Sequence, residues 1–317
     1  MPSDCHPPAP AEPAMITVAS LTRAQLGERL AGPGIHLRTG RFTTLLRSPI
    51  GGVADGIHLL YGDYPLHEGF ADFHLDLVRP ATLRRWLRPQ VSLLYDGRSM
   101  FKPLPLDQAF PMFEWGLNWC VSSRANRYLI VHAAVVEKGG RAAILPAPPG
   151  SGKSTLCAAL VGRGGWRLLS DELTLLRLDD GMLHPLPRPI SLKNASIGVI
   201  RDYVPGSVMS RAVTDTVKGT VAHVRAPADS VARAVETALP AWVVFPRFEA
   251  GAAITAEPMP RAETFMQLAQ NCFNYSLLGA EGFTALVGLV ERSQGYRFRY
   301  GVLDEALAFF DSLPAVS

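Results

Sequence analysis

The sequence predicts an α/β protein with a mixed sheet in its second half and a smaller α+β module in front of it. From residue 128 onward, apolar strand-like segments alternate with helix-like segments, an order typical of α/β layers. The first two of these strands are joined by a short Gly-Gly turn, so they pair antiparallel and the sheet cannot be purely parallel. Before residue 128, several strand-like segments follow one another, which favours a separate α+β unit.

Composition and charge exclude several classes of protein. The chain has 31 Lys and Arg against 28 Asp and Glu, and this net charge of +3 is too balanced for the broad basic face of a nucleic-acid binder. Apolar residues make up 48% and charged residues 19%, as in a globular protein with a sizeable core. No apolar run approaches the roughly 20 residues of a membrane span, and the four cysteines form no C-x-x-C pair. We therefore expect a cytoplasmic protein with no disulfide framework, zinc site, membrane or nucleic-acid partner.

Three regions are predicted along the 317 residues, where length alone suggests about two domains of roughly 150 residues. Residues 1–15 hold five of the 26 prolines and no secretory signal pattern, which predicts a disordered leader. Residues 16–127 form the predicted N-terminal α+β module, called the front module below. Residues 128–317 form the predicted domain that carries the chemistry.

Local signals place the secondary structure. Thr22 and Gln25 form a capping-box pattern at the start of a helix that ends at Ala31, and Asp96-Gly97 predicts a hairpin turn. Pro111 is compatible only with the first turn of a helix over 106–124. The segments predicted as strands are IHLRT, FTTLLR, FADFHLDLV, QVSLLYDGRSMF with its hairpin turn, YLIVHAAVV, RAAILP, WRLLS and AWVVFPR. The remaining predicted elements are a helix over 153–163, a hairpin at 179–181 and an amphipathic helix over 261–279.

The segment APPGSGKST, residues 147–155, is a phosphate-loop pattern between a strand and a helix. Its glycines allow consecutive backbone N–H groups to surround phosphates, its lysine reaches the β and γ oxygens, and its hydroxyl contacts Mg²⁺. The strict pattern has glycine at position 147, where this chain has alanine, which costs little unless φ is positive there. The nucleotide-binding residues predicted for this loop are Gly150, Ser151, Gly152, Lys153, Ser154 and Thr155.

Asp171 and Glu172 follow the strand WRLLS, one helix and one strand after the phosphate loop. This spacing predicts that both carboxylates lie at the sheet edge where the loop opens. Carboxylates there can ligate Mg²⁺ or accept the proton of an attacking hydroxyl, and both roles fit phosphoryl transfer. Two assignments stay open: Asp171 as base with Glu172 assisting the metal, or Asp171 on the metal with Glu172 activating water.

Further charged residues are weaker candidates. His132 lies in the strand YLIVHAAVV, whose hairpin partner feeds the phosphate loop. Lys193 and Lys218 could each reach a phosphate, although surface lysines are the default interpretation. Arg79, Arg84, Arg85 and Arg88 around Trp86 are interpreted as a solvated edge rather than a peptide or phosphate site.

With His132, GSGKS and Asp171-Glu172 in this order, the stretch from about 129 to 178 resembles HPr kinase/phosphorylase. The chain is more similar still to a branch called HPr-related kinase A, across most of residues 34–313. The segments that carry this resemblance are FADFHL, FKPLPL, FEWGLNWC, HAAVV, LPAPPGSGKSTLCAAL, LLSDELTLL, RPISLKN, KGTVAH, AWVVFPR and NYSLLG.

The resemblance implies a mixed-sheet P-loop kinase core of the HPr kinase/PEP carboxykinase type that uses ATP and Mg²⁺. It implies Asp171 as the base for a target serine, Ser154 and Glu172 at the metal, and Lys153 and His132 as catalytic residues. It also implies a protein or ribosomal peptide substrate beside a small PqqD-like peptide chaperone, with a homo-oligomer left open. The chain departs from HPr kinase at Glu172, where the family has Asp, and in ISLKNASIGVI, which replaces a glycine-rich signature. Neither HPr as substrate nor the phosphorylase reaction is therefore carried over.

The sequence leaves two other functions open. A small-metabolite kinase also has an acid about one βα unit after the loop, although such enzymes usually begin at the phosphate loop. An ATPase or nucleotide-gated scaffold without phosphotransfer suits the acidic pair, but the short loop-to-acid spacing and the absence of an LSGGQ-like segment disfavour it.

Overall fold

The computed structural model describes residues 16–81 and 87–314. The predicted leader at 1–15 lies outside these ranges, and so do Arg84, Arg85 and Trp86 of the predicted arginine cluster. Over the described ranges, the chain is a mixed α/β protein with three sheets, of which the first two combine parallel and antiparallel pairs and the third is antiparallel. None of the helices in those ranges is long and apolar enough to cross a bilayer.

The front module contains a seven-stranded sheet in the order β3-β1-β2-β4-β5-β6, with β7 paired to β5. Its strands are β1 (Ile35–Thr39), β2 (Phe42–Arg47), β3 (Leu66–His67), β4 (Phe73–Val78), β5 (Gln90–Tyr95), β6 (Arg98–Ser99) and β7 (Leu104–Pro105). Its helices are α1 (Arg23–Ala31), α2 (Gly51–Leu60) and α3 (Ala109–Arg124). The capping box of Thr22 and Gln25 starts α1, and Asp96-Gly97 turns the β5–β6 hairpin, so both predictions are confirmed.

The second sheet has eight strands in the order β12-β11-β8-β9-β16-β18-β17, with β10 also paired to β8. Its strands are β8 (Tyr128–Lys138), β9 (Arg141–Pro146), β10 (Arg167–Ser170), β11 (Leu173–Arg177), β12 (Leu183–His184), β16 (Leu239–Phe248), β17 (Thr255–Met259) and β18 (Gln294–Tyr300). β16 runs parallel to both β9 and β18, whereas β8 is antiparallel to its neighbours. The carboxyl ends of β9, β16 and β18 therefore meet at one edge of the sheet.

A third sheet, in the order β13-β15-β14, lies after the acidic pair in the chain. Its strands are β13 (Ile190–Lys193), β14 (Val213–Thr216) and β15 (Gly219–Val224). The helices of this half are α4 (Lys153–Gly162), α5 (Ala195–Tyr203), α6 (Ala228–Ala232), α7 (Arg261–Gln270), α8 (Tyr275–Leu278), α9 (Ala280–Glu291) and α10 (Leu303–Asp311).

β8 separates two hydrophobic cores, because its alternate side chains point to opposite faces of the sheet. Ile130, Ala134 and Val136 belong to a large core that includes α4 and continues into the front module. Leu129, Val131, Ala133 and Val135 belong to a second core against α7 and α9. Burial on both faces explains why this strand is nearly continuously apolar in sequence.

The front module and the second half are joined by polar contacts as well as by the shared core. Tyr64 donates a hydrogen bond to the Pro187 carbonyl at 3.1 Å, and Arg225 pairs with Asp63 at 2.6 Å. All strands of the first sheet lie within 16–127 and all strands of the other two lie after it. The division into separate domains at 127/128 stays a prediction.

The predicted amphipathic helix over 261–279 is wrong as one continuous helix: Tyr275–Leu278 is helical as α8, but a break separates it from α7, whose last residue is Gln270. Asn271–Asn274 instead pairs with the edge of β8: Asn271 O accepts from His132 N at 2.7 Å, and Phe273 N donates to Ile130 O at 2.8 Å. The Asn274 side chain accepts from Ile130 N at 2.9 Å and donates to Tyr128 O at 2.8 Å. This segment satisfies backbone groups of β8 that would otherwise be buried without partners.

Candidate functional site

The phosphate-loop segment lies between the end of β9 and the start of α4, as the sequence predicts. Gly150 and Gly152 have φ values of +87° and +89°, which only glycine adopts without strain. A Cβ at Gly152 would lie 2.6 Å from the Tyr300 hydroxyl, whereas none of the described atoms lies within 4 Å of a Cβ at Gly150. The loop is held from β16 and β18, because Phe248 N donates to Ser151 O at 2.9 Å and Tyr300 OH donates to Gly152 O at 3.2 Å.

Ala147 occupies the position where the strict pattern has glycine. It is buried and does not have a positive φ. An alanine therefore fits this backbone without strain, in agreement with the sequence-based expectation.

Lys153 begins α4, and its side chain points into the site rather than into solvent, with 8% of its surface exposed. Its Nζ lies 3.2 Å from His132 Nε2. Burial lowers the pKa of Lys153, while Asp171 and Glu172 act in the opposite direction. A cation next to the first turn of a helix and two positive-φ glycines form an anion-binding arrangement.

His132 is half-buried and faces the same cavity from β8. The centroid of its ring lies 5.6 Å from that of the Phe273 ring, and the two ring planes are tilted relative to each other. Burial, and then the charge of Lys153, lowers the pKa of His132 to about 4. The imidazole is therefore neutral at pH 7, and an unprotonated Nε2 can accept a hydrogen bond from the Lys153 ammonium. In this arrangement His132 orients the lysine and adds no charge of its own.

Asp171 lies between β10 and β11, which both pair antiparallel with β8, and a register shift in β10 precedes it, between Leu168 and Ser170. Its Oδ2 accepts from Ser191 N at 3.0 Å, while its Oδ1 has no hydrogen-bond partner within the described ranges. Burial, and then the neighbouring Glu172 carboxylate, raises the pKa of Asp171 to about 6, and Lys153, Ser191 and Ser154 partly offset the rise. A carboxylate of this kind can accept a proton near neutral pH.

Glu172 is half-buried and surrounded by positive charge. Burial acts to raise the pKa of Glu172, but the combined charges of Lys218, Lys193, Arg188 and Lys153 lower it. Asn118 on α3 donates a short hydrogen bond to Glu172 Oε2. Two adjacent acids thus differ in environment, and Glu172 stays ionised where Asp171 can be protonated.

A cavity of about 320 Å³ opens above these groups. It is lined by the predicted residues Gly150, Ser151, Gly152, Lys153, Ser154, Thr155, His132 and Glu172, and also by Lys193, Asn194, Phe248 and Tyr300. Asp171 lies behind this cavity against Lys153 and Ser154. The structure therefore brings together every residue that the sequence singled out for the site.

Lys193 and Lys218 also act on this site, since both contribute to the lowered pKa of Glu172. Sequence reasoning left these lysines undecided and missed Asn118, Arg188, Ser191 and Tyr300. Asn118 lies in FEWGLNWC, and Arg188 and Ser191 lie in RPISLKN, so two of the segments that carry the family resemblance contain these residues. Only the resemblance offered a signal for these three residues, and no signal in the sequence pointed to Tyr300.

Oxygen ligands suited to Mg²⁺ are present: the unpartnered Asp171 Oδ1, the Glu172 carboxylate and the Ser154 hydroxyl. Among the described residues, no group of three or more His, Cys, Asp or Glu side chains could hold a metal by itself. Mg²⁺ is commonly held by one or two carboxylates together with substrate phosphates, so this donor set fits it.

Comparison with known proteins adds no assignment: no protein-family model matches the chain, and no curated protein matches it at a significant level.

Proposed function

We propose that this chain is an ATP- and Mg²⁺-dependent kinase that transfers the γ-phosphate to a Ser or Thr hydroxyl of a protein or ribosomal peptide. One observation carries the proposal: the glycine loop, the Lys153 ammonium and the Glu172 carboxylate line one cavity, and the Asp171 carboxylate lies directly behind it, against Lys153 and Ser154. A P-loop kinase core of the HPr kinase/PEP carboxykinase type is part of this proposal.

In the proposed reaction, the loop N–H groups and Lys153 bind the phosphates and stabilise the charge on the transferred group. Ser154 and Glu172 would hold Mg²⁺, whose charge would offset part of the negative charge of the phosphates. His132 keeps Lys153 in place through the 3.2 Å contact between Nε2 and Nζ.

The acceptor hydroxyl is a poor nucleophile at neutral pH, so a base must take its proton as the new O–P bond forms. Asp171 supplies that base through Oδ1, because Oδ2 already accepts from Ser191 N. The bond between the γ-phosphorus and the bridging oxygen breaks, and ADP leaves with the electron pair. A pKa of about 6 lets Asp171 be ionised before transfer and protonated after it.

The test uses Asp171→Asn, in which the amide oxygen can still accept from Ser191 N. We expect phosphoryl transfer to fall by about 10²–10⁴-fold, while ATP binding measured by calorimetry stays within a few-fold of wild type. Transfer is followed with labelled ATP and mass spectrometry on peptides encoded next to the gene. Activity retained in Asp171→Asn would exclude Asp171 as the base.

The same incubation separates the alternatives. Label on a polypeptide supports the proposal, label on a small metabolite supports a metabolite kinase, and free phosphate alone supports an ATPase or nucleotide-gated scaffold. The last two results would each overturn the peptide-kinase assignment.

A further inference from the structure

Helix α3 of the front module passes behind the acidic pair and supplies side chains to it. Asn118 Nδ2 donates to Glu172 Oε2, and Asn118 Oδ1 accepts from Arg188 Nη2 at 2.8 Å. The two ends of the amide thus have partners of opposite charge, which fixes its orientation, because an amide donates only from nitrogen and accepts only at oxygen.

Arg188 is itself held in place by the front module. Its side chain is almost fully buried, and its Nη2 lies 3.4 Å from Glu114 Oε2, one turn before Asn118 on α3. Tyr61 donates to the other Glu114 oxygen at 2.6 Å. A continuous series of polar contacts therefore runs from the core of the front module to a carboxylate at the phosphate-loop cavity.

The same helix also contacts a cation of the site. The ring of Trp115 lies 5.2 Å from Lys218 Nζ, and Lys218 is one of the charges that lower the pKa of Glu172. α3 thus contacts both the ionised carboxylate and one of the lysines around it. A contact that served only to hold the front module in place would not require either of these two site residues.

We propose that the front module is a functional part of the site, with Asn118 as the positioning residue that holds the Glu172 carboxylate for Mg²⁺. The inference rests on the proposed function, in which Glu172 contacts the metal. Groups that orient metal ligands typically contribute 10–100-fold to metal affinity. The Asn118 amide bonds to Glu172 and Arg188 rather than to the phosphate loop, so nucleotide affinity without metal is expected to be independent of it.

The test measures binding of Mn²⁺, as a spectroscopic substitute for Mg²⁺, to the full chain with a non-hydrolysable ATP analogue, by electron paramagnetic resonance. Asn118→Ala is expected to raise the Mn²⁺ dissociation constant about 10–100-fold, with an unchanged affinity for the analogue in EDTA. Asn118→Gln, which keeps both amide functions, is expected to recover part of the affinity. In turnover, the Mg²⁺ concentration for half-maximal rate rises, whereas kcat at saturating Mg²⁺ changes less.

Gln108→Ala is the matched control, because Gln108 also joins the two halves through an amide, donating to Asp215 O at 3.2 Å. Its Mn²⁺ affinity is expected to equal that of wild type. If Asn118→Ala does not fold, Arg188→Lys is used, since lysine keeps the charge beside Glu114 but lacks the planar fork that reaches Asn118. It is expected to weaken Mn²⁺ binding as well.

Mn²⁺ affinity within twofold of wild type in Asn118→Ala would overturn the inference, and so would an equal loss in Gln108→Ala. These results leave the proposed kinase function standing as long as wild type binds both the analogue and Mn²⁺. A wild-type protein that binds neither overturns the proposed function, and this inference with it.

Discussion

The two halves of the site are built in different ways. The half proposed to bind phosphate, called the phosphate half below, is one continuous stretch, residues 147–155, with its shape set by two positive-φ glycines and the start of α4. The acidic half is assembled from distant segments: Asn118 lies 54 positions before Glu172, and Ser191 lies 20 positions after Asp171. The first half is therefore shaped by consecutive residues, with distant strands only bracing it, whereas the second depends on side chains that α3 and β13 bring to the acids.

This difference has an electrostatic consequence. In the phosphate half, burial lowers the pKa of Lys153, and the carboxylates of Asp171 and Glu172 oppose that shift. In the acidic half, burial raises the pKa of Asp171, while the surrounding cations lower that of Glu172. The distant contacts thus give two adjacent carboxylates distinct properties, which a local motif could not do.

The largest expected effect on stability comes from a substitution in the acidic half. Arg188→Met leaves the buried Glu114 without its cation and is expected to lower the free energy of unfolding by about 3–5 kcal/mol, measured by urea denaturation. Glu114→Gln combined with Arg188→Met is expected to cost less than Arg188→Met alone, because no charge is then left unpaired. Arg23→Met, which breaks an exposed pair with Asp55, serves as the control and is expected to cost about 1 kcal/mol or less. Equal losses in Arg188→Met and Arg23→Met would show that the buried pair has no special role.

The next largest effect is expected from a substitution in the phosphate half. Lys153→Met is expected to reduce kcat by about 10²–10³-fold, as for removal of one group that stabilises transition-state charge. It is also expected to raise the pKa of His132, although burial keeps that pKa below its ordinary value of 6.5. Proton NMR of the imidazole checks this independently of activity, and Lys138→Met at an exposed ion pair is the control. An unchanged His132 titration would contradict the placement of Lys153.

The phosphate half could be predicted from the sequence for a physical reason. Strand, loop and helix are consecutive, and each element has its own signal: β9 has the predicted bounds, and the helix after the loop ends one residue earlier than predicted. β1 and β2 of the front module also have the predicted bounds. The juxtaposition of the acids with the loop also followed, because β10 runs parallel to β9 with β8 between them.

The distant partners of the two acids were not accessible from the sequence, since no periodicity relates Asn118 to Glu172. The helix predicted over 261–279 is interrupted for a related reason. Cys272 and Phe273 have helical spacing, but the polar groups of Asn271 and Asn274 instead pair with β8 beside His132. Hydrophobic spacing does not record such competition for distant backbone groups, in which asparagine side chains often take part.

A smaller effect separates the two glycines of the loop. Gly150→Ala and Gly152→Ala both place a side chain at positive φ, at a cost of roughly 1–2 kcal/mol each. Only Gly152→Ala also meets the Tyr300 hydroxyl and Phe248 Cβ, at 2.6 and 2.8 Å. It is expected to be less stable than Gly150→Ala by about 1–3 kcal/mol, a typical cost of overpacking. Equal stability of the two variants in urea denaturation would mean that β16 and β18 do not hold the loop.

The smallest effect is a pair of opposed pH dependences, measured in EDTA without nucleotide. The folded-state pKa of Asp171 is raised from 3.8 to about 6, so its contribution to the free energy of unfolding increases as the pH falls through that interval. The folded-state pKa of His132 is lowered from 6.5 to about 4, so its contribution decreases as the pH falls through nearly the same interval. In the wild type the two slopes oppose each other.

Two single variants separate the pH dependence of stability due to Asp171 from that due to His132. Relative to wild type, Asp171→Asn is expected to be most stabilised above pH 6, with the advantage shrinking toward pH 4. The change is at most about 1.4 kcal/mol per pH unit. His132→Asn is expected to show the reverse, with its advantage largest near pH 4 and lost toward pH 6.5. The stability of each variant relative to wild type is measured from urea denaturation midpoints at pH 4, 5, 6 and 7. A difference from wild type that does not change with pH would show that neither group is desolvated as the structure places it.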